Sequence, residues 1–99
     1  YDMTLNNRQT RHLRGLAHHL KPVVTVADKG LTENVMAEIE NALDRHELVK
    51  IKLRSDRDTR AAWIREITQL CGAETIQTIG QVVSVFRRNP EKPVVEIPA

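Results

Sequence analysis

The stretch Leu20-Lys21-Pro22-Val23-Val24-Thr25-Val26-Ala27-Asp28-Lys29-Gly30-Leu31-Thr32-Glu33 constrains the fold of this short chain more than any other. Val23, Val24 and Val26 are β-branched and favour a strand, and Pro22 opens it where a missing N–H costs least. Gly30 can take a backbone geometry that other residues resist. Thr32 is a good N-cap and Glu33 suits the positive end of a helix dipole, so a helix follows the turn. A strand, a tight turn and a helix in this order aim free N–H groups outward, an arrangement that suits a phosphate, and Lys29 adds a charge. A plain strand-to-helix connection with a solvated lysine accounts for the same residues.

The rest of the chain is built around that unit. A helix is expected from Thr4, its cap, to about His19. At 100° per residue, Leu5, Leu13, Leu16, Ala17 and Leu20 form one apolar arc. Arg8, Arg11, His12, Arg14, His18 and His19 fill the remainder with Gly15, and no acid offsets them. Ordinary solvated faces mix signs to gain i,i+4 pairs, so a face of one sign points to an anionic partner. The strand is expected over Val23 to Ala27, and the second helix over Thr32 to His46. Val35, Met36, Ile39, Ala42 and Leu43 make that helix's buried stripe, while Glu33, Glu38, Glu40, Asp44 and Glu47 make its other side acidic.

Leu48 to Arg54 alternates. Val49, Ile51 and Leu53 face one way and Lys50, Lys52 and Arg54 the other, which predicts a strand with a buried face and a basic face. The turn Ser55–Asp58 offers several caps to a third helix that runs to about Cys71, with Gly72 ending it. Ala73 to Ile79, the turn Gly80-Gln81, and Val82 to Arg88 form a hairpin. Asn89 to Ala99 carries three prolines and is expected to be an extended, partly loose tail.

The order is therefore α-β-α-β-α-β-β, an α+β class. Helical crossovers make the first three strands parallel, and the tight hairpin makes the fourth antiparallel. The second and third helices then share one face of a four-stranded mixed sheet. That gives a two-layer sandwich with the Lys50–Arg54 face open. With 99 residues there is room for one core, so residues 3–99 are expected to form one domain. Tyr1 and Asp2 precede Met3 and are read as a remnant of cloning.

Composition narrows the function. No apolar run approaches the roughly 18 residues of a membrane span, and no signal-peptide pattern is visible. A single cysteine, Cys71, cannot form an intrachain disulfide and fits a reducing cytoplasm. The net charge is only +2, so the distribution of charge matters more than its total. Three Phe, Tyr and Trp side chains in all argue against a multi-aromatic base-stacking platform. His12, His18 and Cys71 lack zinc-ligand spacing, and capping explains Asp56 and Asp58. No phosphate-loop or dinucleotide fingerprint is present. Nothing indicates an enzyme, a cofactor, a metal or a small-molecule substrate.

The segments Leu13-Arg14-Gly15-Leu16-Ala17-His18, Leu20-Lys21-Pro22-Val23-Val24, Gly30-Leu31-Thr32-Glu33, His46-Glu47-Leu48-Val49-Lys50-Ile51-Lys52 and Ile79-Gly80 together resemble the CRM domain family, named for chloroplast RNA splicing and ribosome maturation. The resemblance covers nearly the whole chain and is to the free-standing bacterial YhbY type. It implies a fold like the C-terminal domain of translation initiation factor three, RNA binding, and association with precursors of the large ribosomal subunit. The family's Gly-x-x-Gly loop corresponds to Ala27-Asp28-Lys29-Gly30, with alanine for the first glycine and an acid inside the loop.

The resulting expectation is a monomeric, cytoplasmic, non-enzymatic protein that binds ribosomal RNA. Arg8, Arg11, Arg14 and Lys21 would meet phosphates, assisted by His12, His18 and His19. Lys29 and Gly30 would hold backbone phosphate, and Lys50, Lys52, Arg54, Arg87 and Arg88 would extend the footprint. The competing expectation is a module that docks a basic ribosomal protein on its acidic second helix.

Overall fold

The computed structural model describes residues 5–98. The elements follow the expected order: α1 (Asn7–Ala17), β1 (Pro22–Val26), α2 (Glu33–His46), β2 (Leu48–Leu53), α3 (Arg57–Cys71), β3 (Glu74–Ile79) and β4 (Val82–Phe86). The sheet order is β1-β2-β4-β3. β1 and β2 are parallel, and β4 runs antiparallel to both β2 and β3. The strand that closes the hairpin thus slots into the middle, and β1 and β3 become the edges.

Local chemistry sets the helix boundaries. Thr4, the expected cap of the first helix, lies outside the described residues. Asn6 caps α1 instead, in a reciprocal box: its side chain accepts from the Gln9 amide at 2.8 Å, and the Gln9 side chain accepts from the Asn6 amide at 3.1 Å. Thr32 caps α2 and Asp56 caps α3, each through the third helical amide. Gly72 ends α3 in the left-handed region.

Two apolar layers sandwich the sheet. On one face Val49, Ile51 and Leu53 of β2 and Val83 and Val85 of β4 bury against Ile39 and Leu43 of α2 and Ile67 and Cys71 of α3. On the other, Leu13 and Ala17 of α1 pack on Leu48, Ile76 and Phe86. Leu48 pairs with Phe86 at the end where β2 begins, so α1 covers that end only. The face expected to be open remains so further along β2, at Lys50 and Lys52.

Partial coverage corrects the α1 stripe. Leu13 and Ala17 are core, but Leu16 and Leu20 are 37% and 39% exposed. Leu16 keeps its place on the helical arc but does not press on the sheet, whereas α1 ends at Ala17, short of the expected His19, and leaves Leu20 beyond the helix.

The tail is also better held than its prolines suggest. Glu47 is 0% exposed, and its carboxylate accepts from the amides of Asn89, Val94 and Val95 at 2.5, 2.6 and 2.7 Å and from the Arg88 guanidinium at 3.1 Å. Gln9 donates to the Pro98 carbonyl at 3.0 Å, and Val95 and Ile97 pack against the α1 cluster. The tail has no regular secondary structure but is strapped across the start of the sheet. Glu47 was expected on the acidic, solvated side of α2. It is instead the residue after that helix, with φ 60° and ψ −48°, a conformation that turns its side chain inward.

Candidate nucleic-acid interface

Apart from Arg87 and Arg88, the basic side chains expected to meet RNA fall into three groups with different surroundings. The first is α1. Arg8, Arg11, His12, Arg14, His18 and His19 are all exposed on or just beyond it. Arg14 leans toward the sheet and donates from Nε to the Ile76 carbonyl at 3.3 Å, while His12 pairs through Nε2 with the Glu96 carbonyl at 2.9 Å. Arg8 and Arg11 make no side-chain hydrogen bond or ion pair among the described residues. They project away from the Leu13–Ala17 contact line.

The second group is the row along β2. Lys50 is half-buried, and Lys52 and Arg54 are exposed. The row lies on the same side of the sheet as α1 and runs from the α1 end towards the turn after β1. The Arg54 amide bonds the Val26 carbonyl at 2.8 Å, which brings the row to the start of that turn. Lys21 joins it at the other end, because the parallel register sets Pro22 opposite Lys50.

The turn after β1 is the third group. The Gly30 amide donates to the Ala27 carbonyl at 2.8 Å and closes it, with Gly30 at φ +70°. A β-carbon on Gly30 would meet the Trp63 indole at an ordinary 3.8 Å, so backbone conformation and not space demands glycine there. Among the described non-glycine residues only Glu47 has positive φ, so Ala27, in place of the family's first glycine, is unstrained. The electrostatics favour phosphate less. Asp28 and Glu33 are exposed beside Lys29, and Thr32 already satisfies the Val35 amide. We therefore expect Asp28→Asn to strengthen RNA binding by up to about fivefold, the equivalent of about 1 kcal/mol for one exposed charge near a helix terminus. Titration of one RNA fragment against both proteins at fixed salt measures it. A weaker complex would make Asp28 a contact residue instead.

Arg87 and Arg88 leave the expected footprint. Arg87 bonds Glu40 at 2.7 Å, Asp44 at 2.8 Å and the Cys71 carbonyl at 2.9 Å, tying the end of β4 to α2 and α3. Arg88 bonds the buried Glu47 and the Val95 carbonyl and sits over the Phe86 ring. Both guanidiniums are under one-fifth exposed, committed to carboxylates that lie some 40 residues earlier in the chain. The same contacts weaken the competing reading of α2. Arg87 offsets one of the two charges of Glu40 and Asp44, and Glu47 is internal, so the acidic side carries less net charge than its five carboxylates suggest.

Burial, followed by the nearby Glu40, pushes the Cys71 thiol up to about 11, so it stays protonated and serves as core. Among the described residues no three His, Cys, Asp or Glu side chains gather as a metal site. One concavity falls outside the sequence-based expectations, a groove of about 730 Å³ between α1, β1, the start of β2 and the tail. His46, Val94, Val95 and Glu96 line it beside the expected His12, His19, Lys21 and Lys50.

Comparison with known proteins identifies the family and supports the fold. The CRS1 / YhbY (CRM) domain matches residues 5–87. The chain belongs to this family. A protein of Haemophilus influenzae named an RNA-binding protein is 47% identical over 89 residues, covering 89% of this chain and 90% of that one. A Pseudomonas aeruginosa protein named a probable RNA-binding protein is 43% identical, over 90% of this chain and 86% of its own length. The solution structure of a hypothetical protein from Staphylococcus aureus superposes with a TM-score of 0.80 at 27% identity, covering 96% of this chain and 100% of that one. In this CRM fold Lys50, Lys52 and Arg54 lie on the sheet face opposite α2 and α3, which carry Arg45, Arg57, Arg60 and Arg65 of their own.

Proposed function

We propose that this protein binds RNA through the exposed side of α1 and the cation row of β2. The observation that carries the proposal is charge without internal partners. Arg8, Arg11, Lys21, Lys50, Lys52 and Arg54 share one side of the molecule and make no ion pair among the described residues. Cations kept apart from acids keep their full attraction for phosphate, which supplies most of the affinity and none of the sequence reading. The names of the relatives support RNA as the partner. The family resemblance supports a finer reading, binding to ribosomal RNA in large-subunit precursors, and the lone Cys71 fits action in the cytoplasm; the proposed form is a monomer that binds and does not catalyse.

Salt tests the electrostatic core of this reading. Log K for a ribosomal RNA fragment should fall linearly with log salt, with a slope of about −0.7 per neutralised phosphate on single strands and about −0.9 on duplex. Three contacts would give roughly −2 to −3. A binding constant that stays flat between low and moderate salt would remove the basis of the proposal.

A further inference from the structure

Large exposed apolar side chains are unevenly placed on this protein. Among the described residues, Leu16, Leu20, Val23, Leu70, Ile79 and Val94 stand out. Leu16, Leu20, Val23 and Val94 converge on the groove beside α1. Ile79 lines a smaller recess of about 190 Å³ with Pro22 and Val82. Lys50 borders both cavities. The open sheet face thus alternates apolar recess, cation, apolar recess, and Lys21 lies next to Lys50 through the Pro22–Lys50 register.

The rim of the larger groove is as one-sided as the rest of this surface. It carries Lys21, Lys50 and the imidazoles of His12, His19 and His46, against the single acid Glu96. A groove with an apolar floor and a cationic rim fits an amphipathic anion. Its volume is that of a small-molecule site, larger than a lone phosphate needs. The chain is poor in Phe, Tyr and Trp, but histidine rings also stack on bases, and the fold gathers three of the four histidines here.

We infer that this groove seats the base of an unpaired nucleotide, with its flanking phosphates on Lys21 and Lys50. The preferred RNA is then a single-stranded or bulged segment, and α1 holds the adjoining backbone. Alternation of apolar recess and cation matches the base–phosphate repeat of a single strand, whereas a paired duplex keeps its bases stacked inside. This assignment rests on the RNA-binding reading above and goes beyond it in naming the unpaired nucleotide.

The test is methyl and amide NMR on the intact protein, titrated with hexa-adenylate, with a blunt RNA duplex and with an acidic leucine-containing peptide. The methyls of Leu16, Leu20, Val23 and Val94 should move with hexa-adenylate and remain still with the duplex. Leu20→Ser with Val23→Ser, both at exposed positions, should weaken hexa-adenylate about tenfold and the duplex less than threefold. If the Arg8 and Arg11 amides move with RNA while the groove methyls do not, the groove assignment fails and RNA binding stands. If neither set moves with either RNA, both fail. Equal methyl shifts with the duplex, or shifts only with the peptide, also overturn the assignment.

Discussion

Glu47→Ala is expected to cost about 3–5 kcal/mol, the penalty for stranding the partners of a buried charge. The carboxylate holds the Arg88 guanidinium and three amides of the tail, and it is wholly enclosed. Alanine leaves those donors facing a void that no other acceptor fills. In a domain whose total stability is on the order of 5–15 kcal/mol, this is a large fraction. At a urea m-value of about 1–3 kcal/mol/M, the unfolding midpoint should fall by roughly 2 M. The backbone points the same way. A glutamate at φ 60° and ψ −48° sits close to the strained γ-turn, a cost of about 1–3 kcal/mol that persists only where the surroundings over-determine it. A shift in midpoint below about 0.3 M would show that the strap is held by its apolar contacts alone.

The same residue sets an acid limit. Burial by itself would raise the Glu47 pKa, but the amides of Val95, Asn89 and Val94 together with Arg88 outweigh it and hold the group below its usual 4.5. A depressed folded pKa means that the unfolded chain binds a proton more readily than the folded one. The stabilisation is therefore complete above about pH 4.5 and is lost as pH falls through the lower folded value. Glu47→Gln, which cannot titrate, should show a stability deficit that shrinks with acid in that window.

Period and capping made most of the fold legible. The alternation at Val49–Arg54 placed Val49, Ile51 and Leu53 in the core and turned Lys50, Lys52 and Arg54 the other way, and Thr32 capped α2 as its chemistry demands. Crossover length predicted the parallel strands correctly, since β3 and β1 both run with β2. What stayed hidden depends on contacts distant in sequence. Arg87 and Arg88 read as free cations until the fold brings Glu40, Asp44 and Glu47 against them. Helical spacing put Glu47 on a solvated face, but one residue of positive φ at the end of α2 reverses it. Leu16 and Leu20 fit the apolar stripe by angle. Only the placement of α1 over one end of the sheet shows that they border a groove. One signal of that groove was present in the sequence: His12 and His19 alternate with the same two leucines, in the order His12, Leu16, His19, Leu20.

Reversing both Arg8 and Arg11 to glutamate is expected to weaken RNA binding at least about a hundredfold. Each substitution removes one phosphate partner and installs one repulsive charge, so two sites change by four charge units at positions that keep no acid of their own. At a net charge of +2, the double variant also carries the whole chain to −2 by the same four units, which slows encounter as well as weakening the complex. The fold should survive, because both side chains are exposed and neither touches the Leu13–Ala17 contact with the sheet. Leu13→Asp provides the contrast. Leu13 is 0% exposed, and a charge there must be buried or must expel α1, so this variant should unfold. Circular dichroism confirms the fold of each, and titration at fixed low salt reads the affinity. The salt slope of the double variant should also become shallower by roughly 1.4, that is 0.7 for each lost phosphate on a single strand. A folded double variant with unchanged affinity and slope would move the interface off α1 and leave the β2 row to carry it alone.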